Sequence, residues 1–163
     1  MTGKPLLPPQ DDIGLLCMVI ANGFTDAVLE RLRDGGFGDS KFAHGFVVQG
    51  LLAGDRTVTE LAGRLGITVQ AVSKTVIEME RLGYVQRKRD PSDGRSWVLE
   101  LSPRGEESLA LARSSRLAVQ QQLLNALGER APAVLRALRD LAAEFGGLEA
   151  LADRRLKPRP QDA

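Results

Sequence analysis

Residues 90–105 read DPSDGRSWVLELSPRG, a turn followed by a β-like run and the start of a helix. Asp, Pro, Ser and Gly favour tight turns because each stabilises or tolerates turn backbone conformations. β-like runs at 84–89 and 95–101 lie on either side of the turn. The stretch therefore predicts a β-hairpin.

This hairpin is strongly basic. Arg87, Lys88 and Arg89 precede the turn and Arg95 follows it. Crowded like charges contribute little to stability, whereas an arginine at a hairpin tip can enter the minor groove of DNA, where the potential is most negative. Asp93, two residues from Arg95, is placed to hold that guanidinium. The alternative is a solvated turn whose charges protect a sheet edge.

Two short helices are predicted immediately before the hairpin. Thr57 and Glu60 form a capping box at the start of the first, and Gly66 suits its left-handed end. The second begins at a Thr68 cap and ends at Gly83. Two helices joined at 66–67 are a helix-turn-helix pattern, which also occurs in proteins that bind no nucleic acid.

The second of these helices has two distinct faces. Its predicted inward residues are Val69, Val72, Val76 and Met79. The opposite stripe is Gln70, Ser73, Lys74, Ile77 and Arg81. Short polar side chains near a helix N-terminus suit base edges and phosphates in a major groove. The alternative is an ordinary solvated helix face.

Longer helices are predicted on both sides of this middle third. The apolar spacing indicates a helix over 11–33 and another from a Ser40 cap to Leu52, with Phe42, Phe46, Val47 and Leu51 inward. Pro103 opens a long helix to Leu127, and Pro132 opens the last. The last helix carries an apolar stripe of Val134, Leu138, Leu141, Phe145 and Leu148. The fold class is therefore mainly α with a small β-hairpin.

Composition excludes several classes of protein. One cysteine and one histidine allow no internal disulfide, no zinc site and no nucleophile–base pair, and the sequence has no glycine-rich phosphate loop. We therefore expect no enzymatic activity, no metal and no cofactor. No signal sequence and no apolar run near 18 residues is evident, which favours a cytoplasmic protein without a membrane partner.

The net charge of +1 hides an uneven distribution. Residues 1–55 hold four basic and seven acidic side chains, whereas residues 56–105 hold nine and six. Residues 106–163 hold nine and eight. Because DNA responds to a local basic footprint and not to total charge, the middle third is the part suited to bind it.

At this point the sequence resembles a known family. DPSDGRS at 90–96 and VLELSPRG at 98–105 are similar to the wing signature of the MarR family. ELA at 60–62, LGIT at 65–68, VSK at 72–74 and MERLGYV at 79–85 resemble its helix-turn-helix. The wing motif is the more specific of the two.

The resemblance implies a homodimeric transcription factor, usually a repressor, that responds to a ligand or to stress and binds a pseudo-palindromic operator. It implies DNA contacts at Thr68, Gln70, Ala71, Ser73 and Lys74, and a wing pair at Asp93 and Arg95. It also implies dimerisation through helices at about 11–33, 103–127 and 131–153. The chain then divides into a flexible arm (1–10), N-terminal helices (11–55), the winged helix-turn-helix (56–105), C-terminal dimerisation helices (106–155) and a disordered tail (156–163).

Two residues are candidates for sensing a signal. Cys17 occupies a position similar to that of the peroxide-sensing cysteine in one branch of the family, but that branch surrounds its thiol with tyrosines and the only tyrosine here is Tyr84. An inert thiol on an apolar stripe is the favoured interpretation. His44 could line a small-molecule cavity or titrate near neutral pH. A histidine satisfied within the core or at the surface is the commoner case.

Two function classes follow. The first is a sequence-specific regulator of double-stranded DNA. The second is a winged-helix module that binds protein, since an acidic partner could also use the basic hairpin.

Overall fold

The computed structural model describes residues 8–90 and 97–148, which form six α-helices and one two-stranded sheet. The helices are α1 (Ile13–Asp34), α2 (Phe42–Leu52), α3 (Val58–Leu65), α4 (Val69–Arg81), α5 (Pro103–Leu127) and α6 (Ala131–Glu144). The strands are β1 (Val85–Arg89) and β2 (Trp97–Leu101), and short 3-10 turns lie at Pro9–Asp11 and Gly128–Arg130. The predicted fold class, mainly helical with a hairpin after the fourth helix, is confirmed.

Local sequence signals set most helix ends. The side chains of Asp12, Thr57, Thr68 and Ser102 each accept a hydrogen bond from a backbone amide in the first turn of the helix that follows. These caps satisfy amides that have no partner within the helix. At Gly66, φ is +65°, a left-handed conformation that glycine adopts without strain. The capping box and this turn are as predicted.

Two predictions about α2 were wrong. Ser40 is not its N-cap: the helix begins one residue later, after Lys41, and the Ser40 hydroxyl donates to the hydroxyl of Tyr84 instead. Phe42, predicted to face inward, is exposed and stacks edge-to-face on the half-buried Phe46. A contact distant in sequence has taken the hydroxyl that a local cap would have used.

The core lies where α2, α3 and α4 meet beneath the hairpin. Its fully buried side chains are Val47, Leu61, Val72, Val76 and Met79. The predicted inward residue Val69 is 50% exposed, because burial on this face of α4 begins only at Val72, one turn further along the helix. The first turn of α4 therefore projects beyond the core.

The strands pair antiparallel in a single register, from Val85 opposite Leu101 to Arg89 opposite Trp97. The amide of Leu99 also donates to the carbonyl oxygen of Arg56, which ties β2 to the loop before α3. The hairpin is thus fixed to the helix-turn-helix at its base. Residues 91–96, which join the two strands, lie outside the described residues.

α1 packs along α5 and leaves much apolar surface uncovered. Val28 and Leu32 of α1 and Val119 of α5 are buried. The N-terminal half of α1 exposes Ile13, Leu15, Leu16, Met18, Val19 and Ile20, and α6 exposes Leu138, Leu141 and Phe145. Contiguous apolar patches of this size are uncommon on monomeric proteins.

Among the described residues, α1 is long and apolar enough to cross a membrane by length and composition. The prediction that no apolar run reaches this length was wrong, since Asn22 and Thr25 interrupt the run without making the window polar. The C-terminal half of the helix belongs to the protein's own core through Val28 and Leu32.

Candidate nucleic-acid interface

The N-terminal half of α4 is the most accessible part of the helix-turn-helix. The amide of Ala71 donates to Thr68 Oγ1 at 3.2 Å. Thr68, Gln70, Ala71 and Lys74 are exposed, and Ser73 is half-buried. The structure thus brings the five predicted contact residues to one end of one helix, beside its positive dipole end.

Two apolar side chains share this exposed surface of α4. Val69 lies at its first turn, and Ile77 at its third turn is 58% exposed. Sequence analysis placed Val69 in the core, since its spacing from Val72 fits the buried stripe. Its exposure adds an apolar contact point beside Gln70.

The other side of α4 is held in place by ion pairs. Glu78 contacts Lys41 Nζ at 2.5 Å and lies 3.7 Å from His44 Nε2, so it ties α4 to the start of α2. Glu80 contacts Arg87 Nε at 2.7 Å and ties α4 to β1. These two carboxylates fix how α4 is oriented relative to its neighbours.

His44 is buried, and its Nδ1 accepts a hydrogen bond from the amide of Lys41 at 3.3 Å. Burial lowers the pKa of His44, with the nearby Glu78 opposing that shift only in part. The ring packs 5.9 Å from that of Tyr84. The residue is thus a neutral core histidine between α2 and α4.

An open cleft of about 880 Å³ lies between α5 and α6. Its lining includes Gln121, Asn125, Leu135, Arg136 and Arg139. His44 is not part of this lining.

The basic residues of β1 each have a partner. Arg87 pairs with Glu80, and Lys88 Nζ contacts Glu100 at 2.6 Å. Hydrogen bonds from Lys88 and Gln86 lower the pKa of Glu100. The Arg89 guanidinium stacks 4.4 Å from the centre of the Trp97 ring. Asp93 and Arg95, the predicted wing pair, lie outside the described residues.

A polar joint that sequence analysis missed connects the hairpin to the first half of the chain. Arg104 Nη2 contacts both carboxylate oxygens of Asp39, at 3.1 and 3.2 Å. Its guanidinium lies between the rings of Phe37 and Tyr84, 5.1 and 4.9 Å from their centres. The hydroxyl of Tyr84 donates to Asp39, and this hydrogen bond, with Arg104 nearby, lowers the pKa of the carboxyl group.

The start of α5 is packed directly on this joint. Gly105 is buried, and a Cβ at this position would overlap the carbonyl oxygen of Tyr84. The Ser102 hydroxyl donates to the carbonyl of Gly83 and accepts from the amide of Gly105. The hairpin, the turn after α4 and α5 therefore form one rigid corner.

Cys17 is exposed on α1. It lies among the exposed apolar side chains of that helix, next to Leu16 and Met18. Tyr84, the only tyrosine of the sequence, belongs to the joint with Asp39 and Arg104.

Together, a capped helix with an exposed N-terminal half and a basic hairpin anchored beside it define a winged helix-turn-helix. Residues 48–96 match the model of the MarR family, so this segment belongs to that family, as the wing motif predicted. No curated protein sequence matches the chain.

Solved structures share the fold over most of the chain. FabT of Streptococcus pneumoniae, solved in complex with DNA, is 24% identical, with 84% of this chain and 99% of that chain covered and a TM-score of 0.61. CouR from Rhodococcus jostii RHA1, bound to p-coumaroyl-CoA, is 22% identical, with 82% and 91% covered and a TM-score of 0.60. PcaV from Streptomyces coelicolor, in complex with its natural ligand, is 18% identical, with 88% and 99% covered and a TM-score of 0.61.

Proposed function

We propose that the protein is a homodimeric transcriptional regulator that binds double-stranded DNA, with α4 in the major groove and the hairpin over the adjacent minor groove. The observation that carries this proposal is the exposed, capped N-terminal half of α4, held beside a basic hairpin by ion pairs and by the joint around Arg104. A binding surface must be positioned by a rigid support before it can discriminate between sequences.

Each contact residue of α4 has a role suited to its chemistry. Gln70 can pair with an adenine edge through two hydrogen bonds, and Val69 can pack against a thymine methyl group. Lys74 is exposed and makes no ion pair with any described residue, so its charge is available to a phosphate. Thr68, Ala71 and Ser73 complete the surface at the helix N-terminus, where backbone amides and short hydroxyls also suit phosphates.

The hairpin contributes mainly electrostatic attraction. Arg87, Lys88 and Arg89 lie along β1 and raise the local positive potential even where a carboxylate compensates part of it. We assign the minor-groove contact to Arg95, oriented by Asp93, on the wing motif of the sequence.

Dimerisation accounts for the exposed apolar surface. α1, α5 and α6 carry more apolar side chains than one subunit covers, and a second copy would bury them. In this proposal residues 11–55 and 106–155 pair the subunits and support the 56–105 unit, while 1–10 and 156–163 are flexible ends. The regulator works in the cytoplasm as a repressor released by a small ligand or a stress signal.

Release requires that the effector bind the DNA-free form more tightly. A coupling of about 1–3 kcal/mol is typical of such switches. CouR and PcaV are similar folds solved with ligands, which supports a small-molecule effector. Cys17 and His44 remain the two residues whose chemistry suits a redox or pH signal, with the structural role favoured for both.

Binding to the DNA upstream of its own gene, measured by anisotropy of a labelled duplex, tests this proposal. We expect a Kd of about 10⁻⁸ M or tighter and an affinity that falls steeply with salt. Lys74→Ala should weaken binding and reduce the salt slope by about 0.9 per protomer. The control Arg113→Ala removes an exposed cation about 15 Å along α5 from its start and should leave both values unchanged.

Equal affinity for this duplex and a scrambled one of the same length would exclude sequence-specific regulation. The protein-binding module would then be the better interpretation, since its basic hairpin would need an acidic partner and no base contacts.

A further inference from the structure

Trp97 has a position that the proposed function does not explain. It begins β2 directly opposite Arg89, the last residue of β1, so the two form the final described rung below residues 91–96. The indole is 53% exposed although it is large and apolar. An exposed aromatic side chain beside a basic surface is costly in solubility and calls for a reason.

The contact between these residues has a specific geometry. The Arg89 guanidinium lies over the face of the Trp97 ring, 4.4 Å from its centre. Stacking uses the flat face of a guanidinium, whereas its five N–H donors lie in the plane and point outward from its edge. An arginine held on an aromatic face therefore keeps a fixed orientation while its edge can bind an anion.

The other two cations of β1 are held differently. Arg87 and Lys88 contact the carboxylates of Glu80 and Glu100, which neutralise part of their charge. The aromatic face of Trp97 orients Arg89 without adding a negative charge. Side chains held in one pose before binding lose less entropy when they bind.

On this basis, and resting on the proposed function, we propose that Trp97 is a positioning residue that orients Arg89 toward a DNA phosphate at the base of the wing. Arg89 supplies the charge, and Trp97 supplies the orientation. The contact is with the backbone, so it strengthens binding to all sequences alike.

Four variants test this role: Arg89→Ala, Trp97→Leu, Trp97→Phe and the double variant Arg89→Ala/Trp97→Leu. Leucine keeps an apolar side chain but has no aromatic face, and phenylalanine restores the face. Affinity for one labelled duplex is measured at several salt concentrations, and thermal melting confirms that each variant is folded.

Arg89→Ala is expected to reduce the salt slope by about 1.8, because one phosphate contact is lost in each of two protomers. Trp97→Leu should reduce it by a similar amount, the double variant by no more than either, and Trp97→Phe should recover most of the parent slope. Since Trp97 is the only tryptophan of the sequence, its fluorescence should also change when DNA is added to the parent.

A Trp97→Leu variant with the parent slope would overturn the inference, as would losses that add in the double variant, since additivity means that Trp97 acts without Arg89. If the parent protein itself shows no salt-dependent DNA binding, it is the proposed function that fails.

Discussion

Gly105→Ala should destabilise the protein because Gly105 packs against the backbone of Tyr84. The new Cβ would overlap the carbonyl oxygen and would lie 3.0 Å from the carbonyl carbon. Ordinary carbon contacts begin at about 3.5 Å, so the turn after α4 or the start of α5 must move by on the order of 1 Å. The obstacle is backbone, which cannot rotate away as a side chain can.

The cost follows from what that movement disrupts. Overpacking a tight site costs about 1–3 kcal/mol, and weakening the Ser102 cap adds about 1 kcal/mol. The higher helix propensity of alanine returns about 0.8–1 kcal/mol. The net loss is about 2 kcal/mol, which in a chain of this size lowers the Tm by about 4–8 °C.

Thermal and urea unfolding at one protein concentration measure this loss. Gly45→Ala is the matched control: it lies in α2, is exposed, and its new Cβ would meet nothing within 4 Å. It should raise stability by about 0.5–1 kcal/mol. If both variants are equally stable, α5 does not pack on Tyr84 as described and the rigid corner is wrong.

Three further predictions concern pH, DNA affinity and assembly. Burial lowers the pKa of His44, so stability present above about pH 6.5 is lost as pH falls toward the folded pKa. His44→Gln should flatten the Tm between pH 5 and 7, and an unchanged slope would refute this. Glu80→Gln removes the partner of Arg87, so DNA affinity should rise and the salt slope steepen by up to about 0.9 per protomer; equal or weaker binding would show that the pair is needed intact. Leu141→Glu on the exposed face of α6 should give a monomer by light scattering, and a persistent dimer would move the interface elsewhere.

The parts of the fold that were predictable are those specified by near neighbours in sequence. The capping box of Thr57 and Glu60 spans three residues, and the left-handed turn needs only Gly66. Pro103 and Gly128 mark the start and end of α5 for similarly local reasons. Such signals act within one helical turn, so a single sequence contains them in full.

The joint around Arg104 could not be predicted in this way. Its partners Asp39 and Tyr84 are 65 and 20 residues away, and only the packing of α5 on the turn after α4 brings them together. The same packing explains Ser40, whose hydroxyl bonds Tyr84 and not the start of α2. Val69 was misplaced because helical spacing identifies a face but not where along that face the neighbouring helices end.

The candidate site was predictable in outline and not in its charge balance. The resemblance identified the exposed residues of α4, among them Gln70 and Lys74. It did not reveal that Arg87 and Lys88 are paired with carboxylates, nor that Arg89 stacks on Trp97. Cross-strand and strand-to-helix contacts depend on register, which the structure supplies.

The most direct test of the central claim is selection of binding sites from a library of randomised DNA duplexes by the full-length protein. A homodimer with one α4 in each of two major grooves should enrich a two-fold symmetric motif whose half-site centres lie about 10 base pairs, or a multiple of one helical turn, apart. A library that shows no enriched motif after selection, or one that yields a single asymmetric half-site, would contradict it.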